Sequence, residues 1–205
     1  MEQAIWRARG IPVATVIDVG ASDGRWSRIA RVSWPGARFL LFEANPYHEA
    51  GLKRNAMEYV LAAAGDVVGD AHFDATDPWG GVASHAKTGA GDIRVRMTTI
   101  DREVSARGYE GPYLLKLDTH GFEREILEGA TRVLEGCSLL VIEAYNVELR
   151  PGSLRIHELV AYVETRGFRC LDLADPMHRP KDSMLWQVDL IFARADRPEF
   201  ADNAY

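Results

Sequence analysis

The residue types that could do chemistry in this chain stand at the ends of apolar runs. Thr15-Val16-Ile17-Asp18-Val19 leads into Gly20-Ala21-Ser22-Asp23-Gly24. Glycines at 20 and 24 let the backbone turn tightly and approach a ligand closely. A helix opening near Gly24 would aim its free N–H groups at that ligand. The spacing is not GxGxxG, and Asp23 would place negative charge beside a diphosphate, so a neutral or cationic ligand suits the turn better. Glu43 ends the next apolar run, Phe39-Leu40-Leu41-Phe42, 23 residues beyond Gly20. A carboxylate at about that distance holds ribose hydroxyls through two charge-assisted hydrogen bonds. A third run, Tyr113-Leu114-Leu115-Lys116-Leu117, leads to Asp118 and His120. Alternate residues face one side for as long as the strand persists, and a histidine, with an unperturbed pKa near ~6.5, suits a general base at neutral pH. Lys116 lies inside this run, where an unpaired ammonium costs several kcal/mol to bury. It is therefore expected to pair with Asp118, Asp18 or Glu143, chiefly to organise the acidic cluster and secondarily to touch substrate. Asp18, Asp118, Glu143 and His120 are also ligand types for Mg²⁺ or Ca²⁺. Without a dense carboxylate run, a divalent metal is possible but not favoured.

Those residues need elements to hold them. The β-branched run at 15–19 reads as a buried strand. A helix follows from Gly24 to Val32, with Trp26, Ile29 and Ala30 at helical spacing. Asn45-Pro46 offers an N-cap followed by proline at the first helical position. After the strand at 113–117, Ile126, Leu127, Ala130, Val133 and Leu134 mark one face of a helix. Leu139 to Ile142 is another strand. Ile156, Leu159, Val160 and Val163 mark a further helix, expected to be capped by Ser153 and stopped by Gly167. Phe168 to Leu171 and Trp186 to Ala193 read as closing strands. Alternating strands and helices imply an α/β fold with a mostly parallel sheet covered on both faces. The middle is less regular: strand pieces from Leu61 to Phe73, a long glycine-rich loop from Asp74 to Asp92, and a half-exposed strand from Arg94 to Ile100. A loop of that length inside a domain is usually functional or mobile.

The chain has 205 residues, 47% hydrophobic and 26% charged, and suits a single domain with a core at about 11–195 and terminal segments at 1–10 and 196–205. Its net charge of -6 argues against a dedicated nucleic-acid binder, although 20 of its 24 cationic residues are arginine. No apolar run approaches the ~20 residues of a membrane span, and the first ten residues lack the features of a secretory signal. Cys137 and Cys170 stand 33 apart with no partner spacing, which excludes a disulfide scaffold and a structural zinc site. Both read as packing thiols. A cytoplasmic location is expected; the oligomeric state is not fixed.

Val16-Ile17-Asp18-Val19-Gly20-Ala21-Ser22-Asp23-Gly24 resembles motif I of the class I, S-adenosylmethionine-dependent methyltransferases. Phe42-Glu43-Ala44-Asn45-Pro46, the KxDxxGxE run from Lys116 to Glu123, and Leu139 to Glu143 resemble the FkbM family in particular. The likeness runs in order from about residue 15 to 193. It implies a seven-stranded, mostly parallel, Rossmann-like sheet with an antiparallel final strand, supplied by Trp186 to Ala193. It also implies methyl transfer to a hydroxyl of a small molecule such as a sugar or polyketide-like natural product. Cofactor contacts would fall to Asp18, Gly20, Ala21, Ser22, Gly24, Glu43, Ala44, Asn45 and Asp118. Ala64, Gly65 and Asp66 resemble the family's segment at the adenine. His120 and Asp118, with Lys116, would carry catalysis. Many relatives carry an acidic residue at the position of His120, so the general base stays open between His120 and Asp118. Trp79, Ser84, His85 and Lys87 of the glycine-rich loop, with Glu143, Tyr145 and Asn146, would meet the acceptor, the loop closing as a lid. Trp26, His48, His72, His157 and His178 read as fold or surface residues. The rival readings are a nicotinamide-dependent oxidoreductase, disfavoured by the absent GxGxxG and Tyr-x-x-x-Lys pair, and a non-catalytic cofactor-binding domain. A nucleic-acid methyltransferase is more distant, because there is no Asn-Pro-Pro-aromatic tetrapeptide.

Overall fold

In the computed structural model, which describes residues 8, 10–77, 79–87, 89, 91–202 and 204, the apolar runs become the centre of a sheet. In chain order the elements are β1 (Thr15–Val19), α1 (Arg25–Ser33), β2 (Arg38–Glu43), α2 (Glu49–Arg54), β3 (Glu58–Leu61), β4 (Ala63–Ala64), β5 (Gly69–Asp74), β6 (Val82–Ser84) and β7 (Asp92–Thr98). There follow α3 (Ile100–Ala106), β8 (Tyr113–Leu117), α4 (Glu123–Glu128), α5 (Thr131–Glu135), β9 (Cys137–Tyr145), α6 (Ile156–Glu164), β10 (Phe168–His178) and β11 (Leu185–Arg194). Seven strands form one sheet in the order β3-β2-β1-β8-β9-β11-β10. All neighbours are parallel except β11, which runs antiparallel to both β9 and β10. That is the expected class I methyltransferase arrangement. All five residues of β1 are buried, as a parallel strand covered on both faces requires. Ile17 and Val19 pack into one apolar layer and Val16 into the other. Phe42, Phe122, Phe168 and Phe192 are fully buried, each stabilising the fold by roughly 2–3 kcal/mol. The chain order reverses at β1, so a crevice opens beyond the carboxyl ends of β1, β2 and β8. No helix among the described residues is long and apolar enough to cross a membrane.

The irregular middle is more ordered than its sequence suggests. β4, β7, β5 and β6 pair as a second, four-stranded sheet. Part of the expected long loop is β6, antiparallel to β5 with His72 opposite Ser84. The strand expected over Arg94 to Ile100 runs instead from Asp92 to Thr98. Thr99 caps α3, its side chain accepting from the Arg102 N–H at 3.2 Å. The helix expected across Ile126 to Leu134 is broken in two. Asp101 caps the second piece from outside, its carboxylate accepting from the N–H groups of Arg132 and Val133, both at 2.9 Å. Ser153 does not cap α6: its hydroxyl oxygen accepts from Leu149 and Arg150 N–H at 2.9 and 3.2 Å, closing the preceding turn. Arg155 holds the cap position, and Glu158 reaches back to its N–H at 2.9 Å. β10 continues to His178 through register shifts, well past the expected Leu171.

Candidate active site

The turn after β1 is built against the end of β8. Gly20 has φ +73, and a Cβ there would lie 2.0 Å from the Asp118 carbonyl oxygen, so only glycine fits. Gly20 and Ala21 N–H both donate to Phe42 O at 3.0 Å, which fixes the turn to the end of β2. There Glu43 is 6% exposed. Its Oε2 accepts from Ser22 N–H at 2.6 Å and its Oε1 from Asn45 N–H at 2.7 Å. Burial pushes the Glu43 carboxyl up, against those two amides and the charges of His48 and Lys116. Each oxygen retains a second lone pair, so a diol can still be gripped.

Beneath the turn, Asp18 is wholly buried. Its Oδ2 accepts from the Ser27 hydroxyl at 2.6 Å, and its Oδ1 lies 3.1 Å from Lys116 Nζ. The same ammonium is 3.1 Å from Asp118 Oδ2 and 3.4 Å from Gly20 O. Lys116 thus takes two of the three expected carboxylates. Burial disfavours its charge, but Asp118 and Asp18 outweigh that and raise its pKa. Burial likewise opposes the Asp118 carboxylate, and Lys116 and His120 bring it below its ordinary range. Glu143, the third candidate, turns elsewhere. It accepts from the Tyr145 hydroxyl at 2.6 Å and from the Gln187 amide. Burial and the neighbouring Asp118 charge push its carboxyl up to about 8.

His120 completes this rim. Its Nδ1 lies 3.2 Å from Gly81 O. A carbonyl can only accept, so Nδ1 carries the proton there. Nε2 is then directed toward Glu143 Oε2 at 3.4 Å and Asp118 Oδ1 at 3.7 Å. Asp118, His120 and Glu143 each offer one ligand atom within 4.8 Å of the others, a set that could hold a divalent ion.

These elements enclose a cleft of about 180 Å³ that opens to solvent. Of the sequence-predicted residues, Gly20, Ser22, Glu43, Ala44, Ala64, Trp79, Asp118 and His120 line it. Asp18 and Lys116 lie under its floor, where they fix the turn, outside the lining. Ala21, Gly24 and Asn45 lie behind the first two strand ends, outside the lining. Gly65 donates its N–H to Thr98 O at 3.0 Å, and Asp66 Oδ1 is 3.0 Å from His85 Nε2. Both stand off the lining, as do Ser84 and His85. Glu143 and Tyr145 lie behind His120, and Asn146 N–H is tied to Trp186 O at 2.9 Å. His48 corrects the reading of it as a fold or surface residue. It lines the cleft, meets the Trp79 ring at 4.9 Å between centroids with the planes tilted by 52°, and places Nδ1 3.5 Å from the Ser22 hydroxyl. The proline turn after Glu43 was its only signal. Thr119 and Phe122, flanking His120 and Gly121, also line the cleft, as does Phe73 from the second sheet.

Residues 18–170, from within β1 to within β10, match the methyltransferase FkbM domain. The chain belongs to the FkbM methyltransferase family. The crystal structure of methyltransferase FkbM from Methylobacillus flagellatus KT is similar at a TM-score of 0.55 and 16% identity, covering 86% of this chain and 43% of that one. The FkbM chain described here therefore spans less than half the length of that relative. The 1,6-didemethyltoxoflavin-N1-methyltransferase of Burkholderia thailandensis, solved with 1,6-didemethyltoxoflavin and S-adenosylhomocysteine, is similar at a TM-score of 0.53 and 15% identity, covering 95% of this chain and 76% of that one. At such identities the likeness is one of fold. No curated protein sequence matches the chain.

Proposed function

We propose that this FkbM-family chain is an S-adenosylmethionine-dependent O-methyltransferase acting on a hydroxyl of a small molecule, a sugar or polyketide-like natural product. The reading rests on one observation: Glu43 and the Asp118–His120 rim face the same cleft from neighbouring strand ends. The residues present fit the cofactor. Glu43 keeps a lone pair on each oxygen for the two ribose hydroxyls, and Gly20 leaves room for close approach. Ala62, Ala63 and Ala64, with Phe73 and Phe122, offer an apolar wall for the adenine plane. S-adenosylmethionine, when bound, supplies an electrophilic methyl group on a sulfonium.

The chain's residues then have to orient the acceptor oxygen, most of the acceleration coming from in-line placement. In that arrangement His120 Nε2 would take the proton of the acceptor hydroxyl. In the neutral tautomer that donates Nδ1–H to Gly81 O, Nε2 is the ring atom with the free lone pair, and Asp118 stabilises the imidazolium. Trp79 stands at the mouth, where it would shield the bound sulfonium from water. A neutral hydroxylated acceptor suits a rim this rich in carboxyl groups, whereas nucleic acid and membrane lipid suit it poorly. A cytoplasmic location accords with small-molecule chemistry of this kind.

The test is calorimetric titration with S-adenosylhomocysteine. Glu43→Ala is expected to weaken binding by about 100-fold, two charge-assisted hydrogen bonds being removed. An unchanged affinity, or tighter binding of NAD, would sink the proposal. Release of S-adenosylhomocysteine across a panel of polyols and phenols then separates an enzyme from a non-catalytic binding domain.

A further inference from the structure

Glu123 opens α4, ends the KxDxxGxE run, and has no part in the reaction as derived so far. It is only 3% exposed. Its carboxylate is held by neutral donors: Oε1 accepts from Gly121 N–H at 2.8 Å and from the Thr119 hydroxyl at 3.2 Å. Burial pushes its carboxyl above the ordinary range, those donors and its own N–H pulling the other way. Burying a carboxylate among neutral partners is costly for the fold, so what it holds matters.

It holds a strained turn. His120 has φ +53 and Gly121 has φ +103, two successive residues in the left-handed region. A non-glycine residue there costs roughly 1–2 kcal/mol. Gly121 is also confined, since a Cβ would lie 3.0 Å from Ser153 Cβ. The turn reverses the chain after β8 and sends the imidazole back over the strand ends, to Gly81 O, Asp118 and Glu143. Without an acceptor for the buried Gly121 N–H, extended backbone would compete with this conformation.

We infer that Glu123 is a positioning residue of the active site: its Oε1 clamps the left-handed His120–Gly121 turn and so sets where the imidazole stands. The inference rests on His120 being the base of the proposed reaction. Two variants separate reach from charge. Glu123→Asp keeps the charge but withdraws the oxygen by one methylene; Glu123→Gln loses the charge but keeps an oxygen in place. Expected for Asp is a fall in kcat of about 100-fold, as for a misplacement near 1 Å. Expected for Gln is a kcat within about fivefold of wild type, one hydrogen bond of modest net worth being altered. In both, the dissociation constant for S-adenosylhomocysteine should stay within about twofold, because Glu43 is untouched. An active Asp variant beside an inactive Gln variant would overturn the inference in favour of a charge effect, and equal losses would overturn it in favour of a purely structural role. His120→Asn is measured alongside. If it leaves kcat unchanged, the base reading fails by itself; if it abolishes turnover while Glu123→Asp does not lower it, only the role of Glu123 fails.

Discussion

Lys116 shows how far a single residue can be read from its neighbours. An ammonium in the run Leu-Leu-Lys-Leu demands a carboxylate on physical grounds alone, and Asp18 and Asp118 both answer, each at 3.1 Å. Lys116→Met is therefore expected to destabilise the fold by about 3–5 kcal/mol, since it strands the buried Asp18 and takes the cation from half-buried Asp118. Urea unfolding measures this beside the rate, and unchanged stability with lost turnover would assign Lys116 a direct part in the chemistry instead. Glu143 makes a prediction of opposite kind. Its carboxyl stands at about 8 against an ordinary 4.5, so between those values the folded chain binds a proton that the unfolded chain has released. Stability should accordingly decline as pH rises from near 4.5 through about 8. Glu143→Gln should flatten that slope in melting curves taken across the window. Beyond the proline turn before it, nothing local gave away His48, whose ring contact with Trp79 joins residues 31 apart in sequence. Its neighbours Tyr47 and Glu49 mark no cleft, and only the fold brings His48 to one.

At the level of elements, the strands of the large sheet were legible because they carry continuous apolar runs. β1 and β8 fall on the residues expected of them. Where side-chain capping across elements decides the structure, periodicity is a poor guide. Asp101 of α3 caps α5 across 31 and 32 residues of chain, so the break between α4 and α5 is marked locally only by Gly129. Thr98-Thr99-Ile100 looks like the tail of a β-branched strand, yet the hydroxyl of Thr99 turns the chain into a helix. Thr99→Ala is expected to cost about 1 kcal/mol of stability. Binding of S-adenosylhomocysteine should not change, because Thr99 lies outside the cleft lining. Thermal melting with and without the ligand checks both halves. In the small sheet β4, β5 and β7 fall largely on stretches expected to be strands, whereas β6, three residues long, escaped the sequence reading because it exists only through pairing with β5.

Over the whole molecule, the fold and the β1–β2 side of the cleft were legible, whereas the side at His120 was legible only in part. Gly20, Ser22 and Glu43 follow from a turn and a strand end, features that one stretch of sequence encodes. The environment of His120 does not, because it draws on Gly81 from the irregular middle and Glu143 from β9. Lys116 reaches the Gly20 carbonyl, Asp18 and Asp118 from a single ammonium. Through it the two halves of the cleft are mechanically welded, and neither can be reshaped without disturbing the other. Divergence toward new acceptors would then be channelled into the glycine-rich segment after β5 and the stretch after β9, which can vary while the strand ends stay put.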